Sequence, residues 1–157
     1  MRKNAAFTIV EIIVVIVTIS ILAGITSVGY AGLQKSSRDK ERESDAAVIQ
    51  NSLEAYYEKT GTYPPRDAVI GESATVLNFL TRDLNLPATA FISPSATSTT
   101  KNSFTWGTGT SATQYSYISY LENNNQCHAT TAVCTKYRLS YGREQDSAVV
   151  LSSKYGW

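Results

Sequence analysis

The stretch that most restricts this chain is "FTIVEIIVVIVTISILAGITSVGYAGLQ", residues 7–34, which carries a single side chain charged at neutral pH, Glu11. As a helix, its 28 residues at about 1.5 Å each would reach about 42 Å, more than the ~30 Å hydrocarbon core of a bilayer. The Ile, Val and Thr crowding it lean toward strand in water. In lipid, a run of this length must satisfy every backbone group internally and so forms a helix. The expectation is a membrane-spanning helix. A secretory signal is the competing reading, because "MRKN" is a basic start and "ISILAGITS" supplies small residues after the apolar stretch. Glu11 speaks against it, since a signal's apolar core is usually shorter and uncharged, and an acid at the bilayer centre costs about 2–3 kcal/mol. The positive-inside count leaves orientation open: Arg2 and Lys3 precede the run, while Lys35, Arg38, Lys40 and Arg42 follow it.

Two passages carry a family resemblance. "RKNAA" followed by "FTIVEIIVVIVTISILA" resembles the leader and first helix of type IV pilins and the related pseudopilins, and "LEAYYEKTGTYP", residues 53–64, is similar to the end of that helix. The resemblance implies an N-methylated prepilin with a class III leader. A membrane prepilin peptidase would cut on the cytoplasmic side between Ala6 and Phe7 and methylate the new amine of Phe7, and Glu11 would assist assembly. Ala6 departs from the family, which usually has Gly before the cut, although a small residue is kept. Pilins often place a proline in the membrane half of the helix, and this chain has none there. Gly24, Gly29 and Gly32 could loosen the helix instead, at about 1 kcal/mol each relative to Ala, or serve close helix packing.

The placing of the acid has a physical reason of its own. Cleavage before Phe7 creates an ammonium group, and Glu11 then lies about 6 Å further along the helix. The carboxylate sits in the first turns, where the helix dipole favours an anion. In a lipid or protein interior the attraction between opposite charges strengthens, and an unpaired carboxylate is costly. An incoming subunit whose amine meets a neighbour's Glu11 therefore relieves a penalty only in the correct axial register. The alternative is an acid that snorkels to the headgroups.

After Gln34 the composition turns to "KSSRDKERESDAAVIQNSLEAYYEKTGTYPP". The helix is expected to continue over residues 35–60, with Ala46, Ile49, Leu53 and Tyr56 or Tyr57 as an apolar stripe. Lys40, Glu43, Glu54 and Glu58 are left to water or to other subunits. Gly61 is a suitable stop, and Pro64 and Pro65 prevent resumption. The charge run 35–45 reads as a solvated helix face, or as alternating signs that pair between packed subunits. A second helix is expected from Ser73 to Leu84, with Val76, Leu77, Leu80 and Leu84 on one face. Residues 93–113 hold 12 Ser or Thr among 21 positions and read as an exposed loop, either displaying glycans or simply connecting. "YSYISYL", "KYRLSY" and "SAVVLSS" alternate and predict a three-stranded antiparallel sheet.

Cys127 and Cys134, with six residues between them, suit a short disulfide loop in an oxidising compartment or two thiols in the cytosol. The ten tyrosines suit a thin sheet on a long helix, rings buried and hydroxyls wet. Stacking of DNA on Tyr115, Tyr117 and Tyr120 is the sharper alternative. With 14 basic and 13 acidic side chains the chain has no long-range bias toward a polyanion. No phosphate loop, metal-ligand cluster or nucleophile constellation stands out, and His128 is the only histidine. Glu122, Asn123, Asn124, Asn125 and Asp146 offer oxygen ligands at a spacing that matches no calcium loop, and the Asn run reads as a turn.

The combined expectation is an α+β chain without enzymatic activity, metal or cofactor. It would comprise a leader 1–6, a polymerisation helix 7–34, an amphipathic half 35–60 and a head 61–157 with a C-terminal β-sheet. By the resemblance its partners are prepilin peptidase, an inner-membrane assembly platform, membrane lipid before assembly and copies of itself afterwards, in a surface filament; the residues support no DNA or receptor site. Three functions stay open: a major pilin, a pseudopilin or minor pilin of a secretion or DNA-uptake system, and a single-span binding protein that never polymerises.

Overall fold

A computed structural model describes residues 7–107, 111–128 and 133–155, with backbone alone for 26–29. The helix expected from the apolar run and the helix expected from the amphipathic stripe are one element, α1, Ile9–Thr60. Along it the chain divides into two compact units, residues 1–36 and residues 37–157.

In the second unit α1 buries the expected stripe: Ala46, Ile49 and Leu53 are at most 1% exposed. Spacings of three and four residues put them on one face. That face meets a four-stranded sheet of β1 (Phe104–Thr105), β2 (Tyr115–Tyr120), β3 (Lys136–Tyr141) and β4 (Val149–Ser152), in the order β1-β2-β3-β4. The β2, β3 and β4 ladders are antiparallel, as the alternation predicts. Tyr115 pairs with Tyr141, Tyr117 with Leu139 and Ser119 with Tyr137, so period-two alternation gathers four tyrosines and a leucine on one face, all buried.

The hydroxyls of Tyr115, Tyr117 and Tyr137, and that of Tyr63 packed against Tyr137, are not wet. Tyr115 donates to Asp45 at 2.9 Å, Tyr137 to Glu54 at 3.0 Å, Tyr63 to Glu54 at 2.7 Å and Tyr117 to the Pro64 carbonyl at 2.7 Å. Glu54, expected to face water or a neighbour, is half-buried and also accepts from the Lys154 amide at 2.9 Å. Burial, reinforced by the adjoining carboxylates, pushes the Tyr63, Tyr115 and Tyr137 phenols far above their ordinary pKa, so they stay donors. A buried ring with a satisfied hydroxyl keeps its apolar gain without stranding a polar atom. Burial of Tyr115 and Tyr117, both at 0% exposure, removes the DNA-stacking reading of that cluster.

The Ser- and Thr-rich segment differs from the exposed loop expected of it. β1 falls inside it and pairs parallel to β2, Phe104 opposite Tyr115, making the sheet mixed. Ser93, Asn102, Ser103 and Phe104 are buried. Asn102 explains this: its side-chain amide donates to the Val69 and Gly71 carbonyls at 2.9 and 2.7 Å, and its oxygen accepts from the Phe104 amide at 2.9 Å. Side-chain hydrogen bonds thus supply the order that no apolar period announces. Thr97, Ser98 and Thr99 are exposed, and residues 108–110 lie outside the described residues.

Gly61 ends α1 in the left-handed conformation at φ 73°, its amide donating to the Tyr57 carbonyl at 2.7 Å. Pro65 then begins a helical turn that the sequence did not announce, α2 (Arg66–Val69), because a proline that cannot continue a helix is well placed at the start of one. Over 73–84 the expected helix is two pieces. α3 (Ala74–Asn78) is capped by Ser73, whose hydroxyl accepts from the Val76 amide at 3.3 Å. A π turn, Phe79–Asp83, follows and closes with the Leu84 amide on the Phe79 carbonyl at 3.0 Å.

Cys127 and Cys134 form a disulfide between β2 and β3, and both are buried. Its two ends hold the exit of α1: the Tyr63 amide donates to the Cys134 carbonyl at 2.8 Å, and the Arg66 amide to the Cys127 carbonyl at 3.1 Å. Residues 129–132 within the loop lie outside the described residues. For a loop this short the entropy of closure is about 2–3 kcal/mol. Cys127→Ser should therefore lower unfolding free energy by about that amount in urea titrations of the full chain in detergent; an unchanged midpoint would show that the bonds at residues 63–66 hold without the crosslink.

Candidate functional site

In the first unit, every side chain from Phe7 to Ile25 is exposed. Ile9 is 79% exposed, Leu22 63% and Ile25 69%. Burying one such side chain is worth about 1.5–3 kcal/mol, so the segment requires lipid or other helices around it. α1 contains a stretch long and apolar enough to cross a membrane. Its hydroxyls are compatible with that setting, because Thr18 donates to the Val15 carbonyl at 2.8 Å and Ser20 to the Ile16 carbonyl at 2.7 Å. A methyl group added at Gly24 or Gly32 meets nothing of this chain within 4 Å, so neither glycine makes room for an internal contact.

Glu11 has a local partner. The Thr8 amide and hydroxyl donate to its Oε2 at 2.8 and 2.7 Å, and the Glu11 amide donates back to Thr8 Oγ1 at 3.3 Å. This reciprocal pair is a capping box, which satisfies donors orphaned at the start of a helix. The pattern Thr-x-x-Glu was readable in "FTIVE", and the sequence reading missed it by weighing only the charge. Phe7 is 81% exposed just before this cap. Residues 1–6, the expected leader with Ala6, lie outside the described residues, as does the Ala6–Phe7 bond at which cleavage is expected.

The charge run 35–45 is not simply a solvated face. Lys40, Glu41 and Glu43 are exposed, but Arg42 is completely buried. Its Nη1 meets Asp39 Oδ1 at 2.6 Å, Nη2 meets Glu144 Oε1 at 2.7 Å, and Nε donates to the Ala112 carbonyl at 2.7 Å. Nη2 also donates to the Ser95 hydroxyl. Arg38 grips the same Glu144 with both nitrogens of its fork, at 2.7 and 2.6 Å. Asp39 in turn accepts from the Glu144 and Gln145 amides at 2.9 and 3.3 Å. Two cations and two anions balance, and a planar five-donor guanidinium ties three separate loops to α1. Arg38, Asp39 and Arg42 of the run therefore pair within the head. The two arginines hold the Glu144 carboxyl well below the ordinary carboxylate range.

The oxygen-rich residues near the C-terminus do not converge. Asn123 Oδ1 accepts from the Asn125 amide at 3.0 Å and Asn124 takes φ 65°, which makes a turn of the Asn run. Asp146 separately accepts from the Ser147 amide at 2.7 Å. His128 is exposed, and no three His, Cys, Asp or Glu side chains gather among the described residues.

No family model matches this sequence, and no solved structure matches it. Over 67 residues it is 30% identical to the type II secretion system core protein G of Vibrio cholerae serotype O1, a pseudopilin; the match takes in 43% of this chain and 46% of that protein. The chain thus spans about half the length of the curated relative it matches. The likeness supports a pilin-like relationship, in keeping with the long N-terminal apolar helix and small α+β head.

Removing the buried guanidinium should be severe, since breaking one partner out of a buried pair costs about 3–5 kcal/mol. Arg42→Met is expected to lower the urea midpoint of the head sharply, and Arg42→Lys to recover only part of it. The Glu144 carboxyl titrates lower in the folded head than the ~4.3 of an unfolded glutamate, so it stabilises above that value and the contribution drains away as pH falls below about 4. Unfolding midpoints measured down a pH series should drop in acid, and Glu144→Gln should start lower at neutral pH and fall less steeply. Parallel slopes for the two proteins would exclude Glu144 as the acid-labile group.

Proposed function

We propose that this chain is a structural subunit of a type IV pilus-like filament, cut by prepilin peptidase between Ala6 and Phe7, N-methylated at Phe7 and polymerised through the helix 7–34. The observation that carries the reading is the wholly exposed apolar stretch from Phe7 to Ile25, opened by a Thr8–Glu11 cap and continuous in one helix with the stripe that an α+β head buries. Before assembly lipid covers that stretch, with the head outside the cytoplasmic membrane. In the filament the apolar helices bury one another, at about 25 cal/mol per Å² of apolar surface kept from water. Extraction from the membrane is work for a separate motor and assembly platform.

Glu11 selects register in this reading. The amine of an incoming Phe7 and the cap donors of Thr8 converge on one carboxylate, so the neighbour's charge adds to a group whose orientation the cap has already set. Within the pilus-like class, the similarity to a secretion-system core protein favours a pseudopilin of a secretion filament over the major subunit of a surface pilus.

Intact mass of the mature protein tests the processing step: a chain beginning at methylated Phe7 is expected. Retention of Met1, or cleavage after residue 24, would overturn it. Glu11→Gln separates charge from capping, because an amide oxygen still accepts from Thr8 while the charge is gone. Sheared-filament yield should collapse in Glu11→Gln while leader removal continues; normal filaments built from the variant would show that the Glu11 charge does not drive assembly.

A further inference from the structure

Trp106 stands 55% exposed directly after β1. A large indole face left in water forgoes the gain that burial would bring. The ring is nonetheless held. Its Nε1 donates to Gln126 Oε1 at 3.2 Å, and the Arg66 guanidinium carbon lies 5.8 Å from the ring centroid. Both supports are themselves anchored: the Arg66 amide bonds the Cys127 carbonyl at 3.1 Å, and Gln126 bridges to Tyr120 at the end of β2. The disulfide thus steadies an exposed aromatic platform.

The platform adjoins a cleft. Arg66 Nε meets Asp67 Oδ1 at 3.0 Å, and Asp67 stands with Tyr56, Pro65, Thr75 and Phe79 around an open cleft of about 330 Å³. The Tyr56 and Phe79 rings meet edge to face at 5.6 Å, so the cleft has stiff aromatic walls, a carboxylate and a hydroxyl.

We propose that Trp106, Arg66, Asp67 and this cleft form a binding surface for a neutral oligosaccharide. A pyranose offers an apolar C–H face and a rim of hydroxyls. The fixed indole suits the first, while the Gln126 amide, the Asp67 carboxylate and the Arg66 guanidinium offer acceptors and donors to the second. A second sugar unit extends from the indole past Asp67 into the aromatic cleft. A nucleic-acid strand also stacks on aromatic rings, but it needs net positive charge for its phosphates. Here the cation at the ring is neutralised by Asp67, which also faces any anion entering the cleft.

The test uses the full mature chain in a detergent without sugar headgroups, in a Trp157→Phe background so that emission reports Trp106. Maltohexaose, cellohexaose and chitohexaose are titrated separately, with a thymidine oligonucleotide alongside. At least one oligosaccharide should shift the emission and saturate. By calorimetry, Trp106→Ala should abolish that binding and Asp67→Asn weaken it several-fold, with far-UV circular dichroism unchanged. Silence from all three sugars at millimolar concentration, undiminished binding by Trp106→Ala, or a response to the oligonucleotide alone would each overturn the proposal.

Discussion

The head depends on one buried guanidinium. Arg42, at 0% exposure, is the point where the loops carrying Ser95, Ala112 and Glu144 are all fastened to α1. A charge so placed is tolerable only because Asp39 and Glu144 cancel it and every side of its fork has an acceptor. Its neighbour Arg38 completes the neutral group by chelating Glu144. Further along α1 the polarity reverses, and Asp45 and Glu54 receive the hydroxyls of Tyr115, Tyr63 and Tyr137. The helix and the sheet are therefore joined by an apolar stripe with polar fastenings along it, and those fastenings set which loops lie against the helix.

One helix serves two solvents. From Phe7 to Ile25 its apolar side chains are exposed without interruption. Beyond Ser37 the stripe of Ala46, Ile49 and Leu53 lies on one face and is covered by the head. The difference is written in periodicity. A helix apolar all round needs lipid or identical neighbours, while one with a single stripe needs only a domain to cover it. That contrast makes a filament subunit a coherent reading, since lipid and neighbouring helices are interchangeable partners for the first kind of surface.

Legibility in the sequence followed the range of the interactions. The end of α1 at Gly61, the helix start at Ser73, the stripe of Ala46, Ile49 and Leu53 and the three antiparallel strands are local signals, and each lies where it was expected. The Thr8–Glu11 cap was equally local and was overlooked because a charge in an apolar run invites a functional account first. The order in residues 102–105 was hidden, since Asn102 draws it from carbonyls at Val69 and Gly71. Arg42 was hidden for the same reason: Glu144 lies about a hundred positions away, and nothing near Arg42 distinguishes it from Lys40.

By itself the sequence determined the long apolar helix, its change to an amphipathic one, the antiparallel strands and the feasibility of a short disulfide loop. These follow from side-chain periodicity, stop residues and spacing, which act over a few positions. Only the tertiary structure decided which charge in "KSSRDKERESD" goes inside, which tyrosine hydroxyls meet Glu54 or Asp45, and that Trp106 stays outside on a braced support. Those outcomes depend on pairings between distant segments, where burial makes an unpaired charge or hydroxyl so costly that its partner, not its neighbours in the chain, dictates where it lies.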